Sequence, residues 1–358
     1  MKAALIGLGQ AGGRIAAAIG RADREAGYDA VREVMAVNTA NSDLEGLDLE
    51  TMLIGQDRVS GHGVGGDNEL GASIMQTDVG EVIGGLDGVI TPEIDAIVLV
   101  AGLGGGTGSG GAPVLAGALR RVHDRPVYVI GILPGRQEGA IYQRNAARSL
   151  QTIAREADSL LLVENDAWQV AEASMSAAFE AINERIARRV TLLLAAGEAI
   201  EGVGESVVDS SEVINTLRRG TLSAIGYASA EASPDPGENV NVITSTARKA
   251  FLTDMSLRET TRAEAALVIV AGDPERLSRK GVENARKWIE SETGSMEVRG
   301  GDVPIAGDRI AVLVLLSGVA GSPRLESLVE RAKSADESQP IEFDRRRSFE
   351  TDDLEDLF

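Results

Sequence analysis

Residues 98–115, "VLVAGLGGGTGSGGAPVL", place seven glycines in the ten positions from Gly102 to Gly111, between one apolar run and the next. Glycine has no Cβ, so such a segment lets another group come close to the backbone or lets the chain take φ > 0. An anion is the first candidate, because consecutive peptide N–H groups and a helix N-terminus bind negative charge. Residues 97–100 read as a buried strand and residues 113–119 as the opening of a helix, which puts the glycines at a strand-to-helix turn. Thr107 and Ser109 add hydroxyl donors. Phosphate is the ligand this segment predicts.

The same grammar recurs on either side. Residues 3–6 form an apolar strand followed by the glycine turn "GLGQAGGR", and residues 34–37 form a second strand that ends at "NTANSDL". Another glycine loop, "GHGVGGDNELGA", precedes the long glycine run, and "VYVIGILP" follows it. Strand, loop and helix alternate through about residue 165, which predicts a parallel sheet with helices on both faces and ligands at the carboxyl ends of its strands. Residues 175–197 carry helical apolar spacing with no internal Gly or Pro before the end and predict one long helix. Beyond it, "VVDSSEVINTLRRG" reads as a loop and short helix with Asp209 or Ser210 as N-cap, and strands are expected at 266–271 and 310–316 around a helix. The expected layout is a nucleotide-binding domain over 1–174, a central helix over 175–200, a smaller α/β domain over 201–321, and an acidic tail over 322–358, disordered after a last helical stretch. The end of that tail, "RRRSFETDDLEDLF", carries a short apolar segment that could dock a partner.

Composition narrows the chemistry. The 358 residues include no cysteine and two histidines, His62 and His123, which excludes disulfides, thiolate catalysis and a histidine-based metal site. A formal net charge of −20 disfavours a nucleic-acid partner. Five lysines stand against thirty arginines and 55 acidic residues, a balance that resembles halophilic proteins, whose acidic surfaces stay solvated in concentrated salt. No apolar run approaches a membrane span, and no signal-like segment is visible, so a cytoplasmic location is expected.

Two nucleotide motifs compete for the glycines. Gly7, Gly9 and Gly12 satisfy G-x-G-x-x-G after a strand, which admits a nicotinamide dinucleotide, but that site expects an acidic residue at the end of the second strand, where Asn38 and Thr39 stand. No G-x-x-x-x-G-K-[ST] occurs, so there is no P-loop. A nucleotide held mainly by backbone amides of several loops fits better.

At this point the residues carry a resemblance. "GGGTGSG" at 104–110 resembles the signature loop of the tubulin and FtsZ superfamily, and "GQAGGR", "VNTA", "LPGRQEGAIYQRNAARS" and "VENDAW" are similar to CetZ, its archaeal cytoskeletal branch, which is prevalent in haloarchaea. The resemblance spans most of the chain. It implies a tubulin/FtsZ-like α/β fold, with GTP or GDP as ligand and Mg²⁺ at the phosphates. Gln10, Ala11 and Gly12 match the first phosphate loop and Asn38 with Thr39 the second. Gly65, Gly66 and Asp67 match the third, with Asp67 near Mg²⁺ through water. Gly104, Gly105, Gly106, Thr107, Gly108, Ser109 and Gly110 match the fourth. Glu138 matches a ribose-contacting glutamate and Arg144 lies near an arginine of the family, although the spacing after "EG" differs from FtsZ. Asn165, Phe179 and Asn183 match two guanine-contacting amides and the aromatic between them. Phe179 and Asn183 share a helix face, so a ring could cover the base while an amide meets its edge.

The resemblance also assigns hydrolysis. Asp209 and Glu212 lie in the segment matching the family's catalytic loop, which completes the nucleotide site of the next subunit; Glu212 is the stronger catalytic candidate. The same spacing equally describes a capping box, with Asp209 as N-cap and Glu212 its partner. Val207 stands where FtsZ has an asparagine, which implies slow hydrolysis. A site at one end completed by a loop from the other is a heterologous contact, and such contacts propagate as filaments when they do not close. The implied function is a GTPase that polymerises head to tail and acts in cell shape, with envelope-associated or cytoskeletal partners reached through the tail. The alternatives are a GTP-binding regulator that does not polymerise and, on Gly7, Gly9 and Gly12 alone, a nicotinamide-dependent oxidoreductase.

Overall fold

Continuous apolar runs such as "AIVLVAG" and "VYVIGIL" suit strands covered on both faces, and in the computed structural model both are buried almost throughout. The structure describes residues 1–168, 174–196, 208–260, 262–320 and 322–337. The first half runs β1 (Ala3–Leu8), α1 (Gly9–Ala26), β2 (Val31–Asn38), α2 (Asn41–Leu44), β3 (Glu50–Leu53), α3 (Gln56–Val59) and α4 (Asn68–Gly85). It continues with β4 (Ala96–Gly102), α5 (Gly106–Val122), β5 (Val127–Leu133), α6 (Ala140–Glu156), β6 (Ser159–Glu164) and the long α7 (Met175–Ala195). The second half runs α8 (Ser210–Leu217), β7 (Leu222–Glu231), α9 (Asn239–Thr253), β8 (Ala265–Gly272), α10 (Arg279–Thr293), β9 (Glu297–Pro304), β10 (Arg309–Ser317) and α11 (Pro323–Glu337).

All ten of these strands join one sheet in the order β3-β2-β1-β4-β5-β6-β7-β10-β8-β9. Its first six strands are parallel and follow the 3-2-1-4-5-6 order of dinucleotide-binding sheets. The order reverses at β1, whose neighbours β2 and β4 lead their following loops to opposite sides, and a crevice opens there. The parallel pairs Leu160↔Leu222 and Leu161↔Ser223 carry the sheet into the second half, where β10 is antiparallel to β7 and β8. The two halves are therefore joined through the sheet as well as through α7. Two apolar cores lie on its two faces, one including Ile74, Met75 and Leu115, the other including Ile15, Ile186 and Val190.

α7 crosses from the carboxyl ends of the strands to their amino ends. Its Leu194 carbonyl accepts a hydrogen bond from the Met1 amino group at 2.6 Å, beside the start of β1. Midway, buried Arg189 stacks 4.0 Å above the Trp168 ring and pairs with Asp254 at 2.7 Å. Burial lowers its pKa to about 10.

One expectation needs correction. The helix after the glycine run begins at Gly106 rather than at 113, and none of the glycines between 102 and 111 has positive φ. For most of them, Gly105 excepted, the reason is close packing. A Cβ on Gly110 would collide with the Asn68 carbonyl oxygen, and one on Gly108 would lie 2.8 Å from the Gly102 oxygen. Pro113 survives inside α5 because the carbonyl it leaves without a helical donor, that of Ser109, accepts the Ser149 hydroxyl at 2.8 Å. In the segment from 322, where a last helical stretch is expected, Pro323–Glu337 form α11 with Arg324, Leu325 and Leu328 buried. Apolar spacing at 325 and 328 docks it on the protein despite the local charge. Residues 338–358, with the terminal apolar segment, lie outside the described residues, as does Val207.

Candidate functional site

A cavity of about 410 Å³ opens at the switch point, where the loops after β1, β2, β4, β5 and β6 converge. Two helices start at its floor: α1 after Leu8 and α5 after Gly105, and neither N-terminus is capped by a side chain. The first amides of a helix lack internal partners and carry partial positive charge, so two such ends facing one cavity make a strong anion site. Phosphate is the natural occupant.

The floor is tied together by side chains. The hydroxyls of Thr39 and Thr107 lie 2.7 Å apart, linking the loop after β2 to the first turn of α5. Asp43 accepts the Gln10 amide at 2.8 Å and the Asn38 amide at 3.1 Å, one on each carboxylate oxygen, while the Asn38 oxygen accepts the Thr39 N–H at 2.8 Å. Gln10 and Asn38 thus face the cavity in fixed orientations. Asn38 is committed to this loop, so it does not replace the ribose-binding acid of a nicotinamide site.

The third loop bends through Gly65 and Gly66, both at positive φ, 58° and 86°, which only glycine adopts without strain. Buried Asn145 of α6 donates to the carbonyls of Gly66 at 2.7 Å and Gly104 at 3.0 Å, locking the third loop to the fourth. On the far wall the Glu138 carboxylate accepts the Gly135 N–H at 2.6 Å and the Asn165 amide at 3.3 Å. Phe179 at the start of α7 closes that side.

Of the residues singled out from sequence, Gln10, Ala11, Asn38, Gly65, Gly66, Gly104, Gly105, Gly106, Thr107, Gly108, Glu138, Asn165 and Phe179 line the cavity. Others do not. A Cβ on Gly12 would strike the Val100 carbonyl, so this glycine serves helix-on-strand packing; Gly110 packs α5 on α4; and the Ser109 hydroxyl bonds back to the Gly105 carbonyl. Arg144 is half-buried away from the lining set. Asn183 lines an adjoining cavity of about 580 Å³ that shares Asp43 and Phe179 with the first. Asp67 caps α4 by accepting the Leu70 N–H at 2.9 Å. Asp43, Tyr142 and Asn145 went unnoticed in the sequence, because none stands in a glycine loop or at a telling spacing.

Asp209 and Glu212 form the capping box of α8: the Asp209 carboxylate accepts the Glu212 N–H at 2.9 Å and Glu212 accepts the Asp209 N–H at 3.3 Å. The Ser211 hydroxyl and that amide hold the exposed Asp209 carboxyl below its ordinary range. This pair does not belong to the cavity of its own chain. α8 ends at the amino edge of the sheet, where Ser317, paired with Ser223 near the start of β7, donates to the Leu217 carbonyl at 3.3 Å. The cavity is at the carboxyl edge, about 20 Å away along a six-residue strand.

Two helix N-termini meeting at the switch point of a 3-2-1-4-5-6 sheet, without a P-loop lysine, define a nucleotide-binding protein of the tubulin and FtsZ type. Residues 2–171 match the family model "Tubulin/FtsZ family, GTPase domain", and residues 172–334 match "Tubulin-like CetZ, C-terminal domain". The chain belongs to the CetZ family of tubulin-like proteins. It is 61% identical to the tubulin-like protein CetZ2 of Haloferax volcanii over 360 residues, covering 100% of both chains. Among solved structures it is similar to the GTPγS-bound protofilament of CetZ2 from Haloferax volcanii, with a TM-score of 0.90 and 60% identity over 94% of this chain and 99% of that one. It is also similar to the GDP-bound monomer of CetZ1 from the same organism, with a TM-score of 0.87 and 49% identity over 94% of this chain and 100% of that one. No helix among the described residues is long and apolar enough to cross a membrane.

Proposed function

We propose that this protein binds GTP in the switch-point cavity and assembles head to tail into filaments, hydrolysing GTP where two subunits meet. The observation that carries this reading is the separation of two half-sites: a cavity with two uncapped helix ends at one edge of the sheet, and the Asp209–Glu212 pair, outside that cavity, on α8, whose last residue lies at the other edge. The rim of the cavity agrees with a covered surface, since Ile141, Tyr142 and Phe179 stand 43%, 41% and 42% exposed. The protofilament of the CetZ2 relative supports the same arrangement.

In this mechanism the amides at the starts of α1 and α5 hold the phosphates, with Thr107 positioned by Thr39. Glu138 faces the ribose, Asn165 and Asn183 read guanine, and Phe179 covers the base. Glu212 of one subunit orients the attacking water at the γ-phosphate of the next, while Asp209 keeps Glu212 in place through the capping box. Mg²⁺ neutralises charge on the β- and γ-phosphates. Among the described residues no three carboxylate or histidine side chains converge, so the ion would take its ligands from phosphate oxygens and water, with Asp67 beside that water. In the cell we assign the filament to control of cell shape.

The test is GTP turnover per molecule against protein concentration, in high KCl with Mg²⁺, with pelleting followed in the same samples. A specific rate that rises together with pelleting supports catalysis between subunits. Glu212→Ala should bind GTP, lose turnover and give longer-lived polymer; unchanged turnover at equal polymer mass would remove Glu212 from the mechanism. Binding with neither turnover nor pellet would favour a non-polymerising regulator.

A further inference from the structure

We propose that α11 belongs to the nucleotide site, with Arg324 as a positioning residue that clamps the loop at 134–139 and so fixes the carboxylate of Glu138 against the ribose. The inference rests on the reading of the cavity as a GTP site.

Arg324 stands in the first turn of α11 and is 2% exposed. Its Nη2 donates to the Pro134 carbonyl at 2.6 Å and to the Gln143 side-chain oxygen at 3.3 Å. Gln143, equally buried, passes the constraint on: its amide donates to the Gly135 carbonyl at 2.7 Å and the Glu138 carbonyl at 3.4 Å. About two helical turns further along α11, Arg331 donates to the Arg136 carbonyl at 2.6 Å. Four carbonyls of a loop without ladder hydrogen bonds are therefore held by side chains, and two of those side chains come from α11.

Besides these bonds the loop is held by the Glu138 N–H on the Gly135 carbonyl at 3.0 Å, by the Arg136 N–H on the Asp166 carboxylate and by the Arg136–Glu164 pair at 3.6 Å. Pro134 and Glu138 both line the cavity, and the Gly135 N–H that orients the Glu138 carboxylate lies between two clamped carbonyls. A guanidinium withdrawn from water is costly unless its protons meet acceptors; here Nη2 meets the Pro134 carbonyl and the Gln143 side-chain oxygen, while Nη1 is buried without a hydrogen-bond partner, and no carboxylate bonds it directly. Glu164, the last residue of β6, supplies the neighbouring negative charge while its Oε1 accepts the Arg258 N–H at 2.8 Å. Both bonds come from Nη2, at the tip of the side chain. A lysine in its place keeps the charge, but its side chain is one bond shorter and does not bring a nitrogen to the position of Nη2, from which both Pro134 and Gln143 are reached.

The test uses the full chain below its assembly concentration, with Arg324→Lys, Arg331→Ala and Glu138→Gln compared. Hydrogen exchange over 134–143 is measured without nucleotide, and affinities are measured for GTP and its 2′-deoxy and 3′-deoxy analogues. In Arg324→Lys, exchange in that segment should quicken about tenfold, the factor carried by one charge-assisted hydrogen bond, with the rest of the protein unchanged. Its preference for GTP over a deoxy analogue should fall toward that of Glu138→Gln, and Arg331→Ala should shift both readouts the same way by less. Unchanged exchange in Arg324→Lys overturns the clamp. Quickened exchange with the hydroxyl preference intact, while Glu138→Gln loses it, overturns the positioning role. If neither variant loses the preference, the ribose reading of Glu138 has failed, and the exchange data alone decide whether α11 holds the loop. Should Arg324→Lys not fold, Arg331→Ala on the exposed side gives the same two readouts.

Discussion

The hydroxyls of Thr39 and Thr107 meet at 2.7 Å across 68 residues of sequence, one at the end of β2 and the other in the first turn of α5. This contact closes the floor of the cavity at the point where the sheet order reverses. Thr39→Val removes it without changing side-chain shape. Nucleotide affinity is expected to fall about fivefold, the worth of roughly 1 kcal/mol, with little change in thermal unfolding. A fluorescent guanine nucleotide titrated into both proteins measures the difference.

Glycines of the signature segment divide into two kinds, and alanine separates them. At Gly110 a Cβ meets the Asn68 carbonyl, so Gly110→Ala should lose about 3 kcal/mol or fail to fold. At Gly105 a Cβ meets nothing within 4 Å and φ is −73°, so Gly105→Ala should cost less than about 1 kcal/mol of stability. Its effect falls on the ligand, since Gly105 lines the cavity. Calorimetry on the two variants with and without GTP checks both statements.

Asn145 holds the carbonyls of Gly66 and Gly104 with one amide group. Asn145→Ala leaves these oxygens without that donor, and urea unfolding should show a loss of about 2 kcal/mol. Because the third and fourth loops then move independently, affinity for the triphosphate should fall more than affinity for the diphosphate. Equal losses for GTP and GDP would place Asn145 in fold support alone.

Asp209 offers a pH dependence with a defined sign. Its folded pKa lies below the ordinary 3.8, because the Ser211 hydroxyl and the Glu212 N–H bond the ionised form. The cap is therefore fully in place above the unfolded value and is lost as pH falls through the folded one. Assembly and turnover should show no step from this group between about pH 5 and 8, and fraying of α8 should begin only in more acidic solution. A carboxyl-carbon NMR titration that put Asp209 above 3.8 would contradict the capping geometry.

Much of the site was legible one loop at a time. Gln10, Asn38, Gly104, Thr107, Glu138, Asn165 and Phe179 each stand in a local string whose composition differs from its surroundings, and all seven line the cavity. A glycine that lets a ligand approach and a glycine that lets a neighbouring element approach look alike in sequence: Gly12 and Gly110 read as phosphate contacts, and in the structure they stand outside the cavity lining with Val100 and Asn68 against them. The same ambiguity placed the start of α5 seven residues late. The Ser109 hydroxyl, read in the sequence as a phosphate donor, turns back on the Gly105 carbonyl at the start of its own helix. Asp43, Asn145 and Arg324 were missed for the opposite reason: each acts on residues distant in the chain or through another side chain, and nothing in its own neighbourhood signals it.

Sequence alone determined the alternation of strands and helices, the glycine loops at strand ends, the long α7 and the nucleotide family, because these depend on residues close along the chain and on distinctive local strings. Only the tertiary structure decided which residues line the cavity, that Asp43 orients Gln10 and Asn38, that α11 reaches the loop at 134–138, and that Asp209 and Glu212 stand on a helix, α8, that ends at the amino edge of the sheet, outside their own cavity. Those relations join positions as far apart as Pro134 and Arg324, and they exist only once the sheet has brought its carboxyl ends together and α7 has carried the chain to the opposite edge.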